Sequence, residues 1–174
     1  MSNPIPNSIY IPYQELKQIR ELGSGSFGTV YLGKWQYMDV AIKELAAKKL
    51  PERVQEEFQQ EALIMKELRH RNVILLYGIC IDQRNCLVME YCANGSLYDL
   101  LQSRQDIPLP KRITWASEIA KGLTYLHSRK ILHRDLKPEN GIVGKFGEVM
   151  ILDWGLAQVA GEGDDLEDIP GAPA

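Results

Sequence analysis

Residues 23–35 read GSGSFGTVYLGKW. The first six positions carry the spacing G-x-G-x-x-G, and the seven residues after them decide the architecture. In a dinucleotide-binding fold a helix must begin at the second glycine. Here TVYLGKW is β-branched and aromatic and has no helical period, so the turn joins two strands. Taken alone the glycine spacing is a weak signal, and two readings stay open. One is a plain hairpin turn. The other is a loop whose main-chain N–H groups come close to phosphate oxygens. The P-loop ending Gly-Lys-Ser/Thr is absent.

Working outward, residues 16–43 are strand-like, with a turn at YMD (37–39). Residues 1–14 are rich in Pro, Asn and Ser and read as an irregular lead-in. Pro51 opens a helix that runs to about Arg69. Apolar strands come next at about 73–81 and 86–91, joined by DQRN. After the turn ANG, S-L-Y-D (96–99) is a capping-box variant that starts a short helix. A longer helix covers about 110–128, with Ile113, Ile119, Leu123 and Leu126 on its apolar side. GIVG and EVMIL are short strands around the turn KFG. The order is strands, one helix, strands, then mostly helices. It predicts an α+β protein of two lobes, a sheet lobe over 15–91 and a helical lobe over 92–160, meeting at EYCANGS. The acidic, Gly- and Pro-rich end, 161–174, is expected to be disordered on its own, and no internal repeat is present.

Two charged residues stand where apolar ones belong. VAIK (40–43) ends an apolar strand in Lys43, and Ala41 and Lys43 share a face because side chains alternate. A small Ala41 leaves room for a flat ligand. In the next helix Val54, Phe58, Met65 and Leu68 form a stripe whose missing member is Glu61. A carboxylate in a buried stripe is costly unless paired, and Lys43 is the evident partner. The competing reading is a marginal Glu61 reaching solvent and a Lys43 with its ammonium in water. The densest polar stretch is HRDLKPEN (133–140), in which Pro138 excludes a helix interior and apolar runs flank both sides.

Composition sets the broad class. The 174 residues are 45% hydrophobic and 25% charged, as in a soluble globular protein. A net charge of −3 and a pI near 5.7 give no electrostatic reason for nucleic acid or an anionic membrane as partner. No apolar run approaches the ~20 residues that span a bilayer. The N-terminus MSNPIPNSIYIPY lacks the regions of a signal peptide. Cys80, Cys86 and Cys92 are odd in number, lack paired metal spacing and read as reduced cysteines of a cytoplasmic protein.

GSGSFGTV, VAIK, Glu61, HRDLKPEN and DWG (153–155) stand in the order and approximate spacing of the protein kinase signature set, and the chain resembles that family over nearly its whole length. Its first half is similar to the tyrosine-kinase-like group and its second half to bacterial Ser/Thr kinases. The resemblance implies a two-lobe kinase fold with ATP and Mg2+ as cofactors. It places Leu22, Gly23, Ser24, Gly25, Ser26, Phe27, Gly28 and Thr29 over the ATP phosphates. Lys43, oriented by Glu61, would bind the α- and β-phosphates. Val30, Ala41 and Ile142 would sandwich the adenine, Glu90 and Cys92 would offer it backbone groups, and Met89 would guard the pocket behind. Asp135 would take the substrate hydroxyl's proton, Lys137 would face the γ-phosphate, and Asn140 and Asp153 would hold magnesium. KPEN implies a protein substrate with a Ser/Thr acceptor. His133 would be structural, packing with Met65, Leu76 and Trp154.

The departures are specific. Trp154 replaces the usual Phe, Arg71 stands where Pro is common, and Gly141 follows Asn140 where an apolar residue is usual, which is expected to loosen the pocket floor. The A-P-E motif and the helices after it do not appear, and no Ser, Thr or Tyr follows Asp153. The phosphate that Arg134 grips in relatives therefore has no attachment point on that segment of this sequence. Open apolar faces on the 110–128 helix are expected, and with them a protein partner or self-association. The alternatives to an active kinase region are a nucleotide-binding scaffold that transfers no phosphate and a non-functional truncated fragment.

Overall fold

The computed structural model describes residues 9–25 and 28–152. Ser26, Phe27, Asp153, Trp154 and the acidic end lie outside them. The architecture is α+β, and the chain divides into two compact units, residues 1–93 and 94–174.

The first unit is an antiparallel five-stranded sheet with one helix. The strands are β1 (Lys17–Gly25), β2 (Gly28–Trp35), β3 (Met38–Leu45), β4 (Leu76–Cys80) and β5 (Cys86–Glu90), in the order β1-β2-β3-β5-β4. The β2–β3 turn is Gln36 and Tyr37, both in the left-handed region, one residue earlier than YMD suggests. Such a pair matches the twist of the strands it joins. Register sorts side chains onto two faces. Val40, Ile42, Cys86 and Val88 pack into a core with Cys80 and Ile11. Val30, Leu32, Ala41, Lys43, Leu87 and Met89 are register partners on the other face.

The described part of the lead-in, residues 9–14, is more ordered than its composition suggests. Ile9 and Ile11 are buried, and the Ile11 N–H donates to the Ile79 carbonyl at 2.8 Å. A parallel bridge pairs Tyr10 with Ile79, so the segment covers the β4 edge. Gly78 makes this possible, since a Cβ there would strike the Ile9 carbonyl. After a 3₁₀ turn at Tyr13–Glu15 the chain enters β1.

Helix α1 (Glu52–Glu67) starts behind Pro51. Its buried face is Ala62, Met65 and, just past its end, Leu68, whereas Val54 is exposed. The helix is therefore seated on β4 by its C-terminal half. Lys66 donates to the Tyr77 carbonyl on that strand.

The second unit holds α2 (Leu97–Gln102), α3 (Leu109–Ser128), a 3₁₀ turn at Pro138–Asn140 and the hairpin of β6 (Gly141–Val143) and β7 (Val149–Ile151). The capping box forms: the Ser96 hydroxyl accepts from the Asp99 N–H at 3.1 Å, and the Asp99 carboxylate accepts from the Ser96 N–H at 3.1 Å. Trp115, Leu97, Ile107, Val143 and Val149 form the core of this unit. Ile113, expected on the apolar side of α3, is 60% exposed, and Trp115 takes the buried position. The reason is the hairpin: the Trp115 indole N–H donates to the Gly147 carbonyl at 3.2 Å, and Glu118 accepts the Val149 N–H at 2.7 Å.

Candidate functional site

In the first unit the glycine-rich turn divides into two kinds of glycine. Gly28 has φ +142°, and a Cβ on it would strike the Glu44 carbonyl, so the backbone itself demands glycine. At Gly23 and Gly25 an added Cβ would meet nothing within 4 Å. Packing does not require glycine at those two positions, but a ligand brought against the backbone would. Leu22, Ser24, Thr29 and Val30 flank them, Leu22 and Ser24 exposed and the other two half-buried.

Strand pairing sets Val30 opposite Lys43 and Ala41 opposite Met89. Four of the residues expected around a nucleotide thus share one face of the sheet. Met89 is buried there, and Ala41 and Lys43 are half-buried. The Glu90 N–H donates to the Leu75 carbonyl at 3.0 Å, and its side chain accepts the Leu75 N–H at 2.8 Å. Cys92 is half-buried just beyond it.

Glu61 does not meet Lys43. Among the described residues no ion pair reaches its carboxyl, which burial and the neighbouring Glu57 push up to about 7. The cause is the seating of α1: the middle of the helix rides beside the sheet at half-burial, and a carboxyl there is desolvated with no cation to offset the loss.

In the second unit HRDLKPEN folds into a loop braced by its own side chains. His133 is buried. Its Nδ1 accepts the Asp135 N–H at 3.2 Å, so Nε2 carries the proton and donates to the Leu152 carbonyl at 2.8 Å. Arg134 holds φ +62°, which turns the chain between them. The Lys137 ammonium lies 3.3 Å from Asp135 Oδ2. The Asn140 amide donates to the Asp135 carbonyl at 2.8 Å and more weakly to its carboxylate at 3.4 Å, and the Leu152 N–H donates to the Asn140 carbonyl at 2.8 Å. The loop therefore brings together Asp135, Lys137 and Asn140, and ties the chain at the residue before Asp153.

The donors of Asn140 are committed, its side chain is only 3% exposed, and its Oδ1 accepts no hydrogen bond from a described residue. A buried amide oxygen in that condition suits a hard cation, which takes oxygen ligands. Among the described residues no group of three His, Cys, Asp or Glu side chains could hold a metal ion by itself. No described helix is long and apolar enough to cross a membrane.

Gly141 does not loosen its surroundings. It is buried, and a Cβ on it would lie 2.9 Å from Leu97 Cδ1. Leu97 of α2 supplies the volume that an apolar side chain at 141 would bring, a compensation between distant positions that spacing cannot reveal. Ile142 is half-buried beside it and bridges to Ser96.

Residues 16–169 match the family model described as protein tyrosine and serine/threonine kinase. The chain is 37% identical over 172 residues to a probable serine/threonine-protein kinase of Dictyostelium discoideum, covering 96% of this chain and 19% of that protein. It is 37% identical over 176 residues to the serine/threonine-protein kinase CTR1 of Arabidopsis thaliana, covering 91% and 21%. It is 36% identical over 149 residues to the mitogen-activated protein kinase kinase kinase 13 of Homo sapiens, covering 85% and 14%. The chain thus spans about a fifth or less of the length of these relatives.

Proposed function

This chain belongs to the protein kinase family, and on that premise we propose that it is an ATP- and magnesium-dependent catalytic region that transfers the γ-phosphate to Ser or Thr hydroxyls of a protein. The observation that carries the reading is the braced loop: a carboxylate, an ammonium and a buried amide oxygen that accepts no hydrogen bond from a described residue, held within one eight-residue stretch. Phosphoryl transfer needs those groups, because its catalysis is positioning and charge neutralisation.

Each residue has a role in this reading. The main chain of residues 22–29 covers the phosphates, and the side chains of Gly23 and Gly25 are absent where the ligand approaches. Lys43 binds the α- and β-phosphates. Val30, Ala41 and Ile142 contact the adenine, the Glu90 carbonyl and the Cys92 N–H hydrogen-bond its edge, and Met89 closes the space behind. Asp135 accepts the proton of the substrate hydroxyl, and Lys137 neutralises charge on the phosphoryl group. Magnesium, held by Asn140 and Asp153, would neutralise the triphosphate. The same reading places the protein in the cytoplasm, and gives it a protein partner or a second copy over the exposed parts of its second unit.

The missing Lys43–Glu61 pair favours a second reading, a nucleotide-binding regulator that transfers no phosphate. One pair of measurements separates the two. Wild type and Asp135→Asn are incubated with γ-labelled ATP, magnesium and a generic protein substrate, and the Mg·ATP thermal shift is recorded on both. The first reading expects a shift in both and transfer reduced by about 10²-fold or more in the variant. A shift with no transfer in the wild type establishes the second reading, and no shift in a folded sample refutes both.

A further inference from the structure

Cys80 ends β4 and Cys86 begins β5, and the two are direct register partners across the antiparallel ladder. Partners of this kind have Cα atoms about 4.5–5.5 Å apart, inside the span of about 4.4–6.8 Å that a disulfide bridges. Both are free thiols, 1% and 0% exposed. Packing alone asks only for small apolar groups here; it does not ask for two thiols at directly partnered positions. The neighbours are also informative. Ile11 belongs to the same core cluster and Tyr13 packs against it. Both stand on the N-terminal segment, which is pinned by the Ile11–Ile79 hydrogen bond and by Asp82, whose carboxylate accepts the Tyr13 N–H at 3.1 Å.

We propose that Cys80 and Cys86 are an oxidisable dithiol that a peroxide converts to a cross-strand disulfide, with the N-terminal segment controlling access to it. The thiolate of one cysteine attacks a peroxide oxygen; the O–O bond breaks, one water leaves, and a sulfenic acid remains. The second sulfur attacks that sulfenic sulfur, the S–S bond forms, and the oxygen departs as a second water. Two thiols are oxidised by two electrons and one peroxide is reduced. The neighbouring Cys80 and burial push the Cys86 thiol up, so the closed state reacts slowly and the reaction runs through openings of the segment. The bond would fasten β4 to β5, the strand that carries Met89 and Glu90. This inference stands on the first unit alone and does not depend on phosphate transfer.

The test is made on the folded 174-residue chain. It is incubated with hydrogen peroxide, then denatured, alkylated, digested and mapped by mass spectrometry with and without dithiothreitol. The expected product is a pair of peptides joined through Cys80 and Cys86 within one chain and separated by the reductant. Asp82→Ala, which releases the segment from the β4–β5 connection, should speed its appearance several-fold with the fold retained by circular dichroism. Recovery of Cys80 and Cys86 as free thiols, or in disulfides to Cys92 or to a second chain, would overturn the dithiol. An unchanged rate in folded Asp82→Ala would overturn the role of the segment.

Discussion

At the residue scale, Gly141 and Leu97 share one volume: the space a side chain at 141 would fill is already taken by the Leu97 methyl groups. Gly141→Ala should therefore destabilise the second unit by about 1–3 kcal/mol through overpacking. Gly141→Ala combined with Leu97→Ala should lose less than the sum of the two single changes, as read from urea midpoints in a double-mutant cycle. Spacing cannot report this pair, because the two residues stand 44 positions apart by their numbers (141 − 97). It does report the polar loop. Asp135, Lys137 and Asn140 lie within six positions of one another, so a single loop conformation suffices to gather them. A structural role for His133 is legible beside that charged stretch, but its tautomer depends on bonds to Asp135 and Leu152 that the sequence does not disclose.

Among the elements, helix α1 has the largest consequences. With its N-terminal half exposed, it is fastened by Met65, Leu68 and the Lys66 hydrogen bond to Tyr77. Desolvation and nearby Arg69 lower the pKa of Lys66, which donates to the Tyr77 carbonyl. Lys66→Met should cost about 1–3 kcal/mol and raise hydrogen-exchange rates along α1 before those of β5. Glu61 gives the helix a pH dependence. Its folded-state carboxyl titrates at about 7 against an ordinary 4.5, so over that interval the folded chain keeps a proton that the unfolded chain has released. Stability from this group is complete below about 4.5, falls as pH rises, and is gone above about 7. Glu61→Gln should flatten that decline in urea midpoints measured across the interval. Element boundaries and types are legible wherever a cap or a period marks them, as at Ser96 and at the Pro51 start of α1. Faces are less legible, because they depend on what each element meets. The α3 face turns to bury Trp115 because the hairpin carbonyl at Gly147 accepts its indole N–H. The lead-in docks because Gly78 leaves room for it.

For the molecule as a whole, strand and helix order predicts an α+β fold, and the five-stranded sheet with its single helix has that form. The kinase assignment rests on motifs in register, and the family match across residues 16–169 agrees with it. The second unit leaves Leu109, Ile113, Leu136 and Phe146 exposed. We propose that this chain holds a nucleoside triphosphate by the ammonium of Lys43. Calorimetric titration of Mg·ATP into wild type and Lys43→Met tests it most directly. One binding site is expected in the wild type and affinity at least about tenfold weaker in the variant, the loss of about 1.4 kcal/mol or more that a charge-assisted contact to phosphate supplies. Equal affinity in the two folded proteins, or no binding to the wild type, would contradict it.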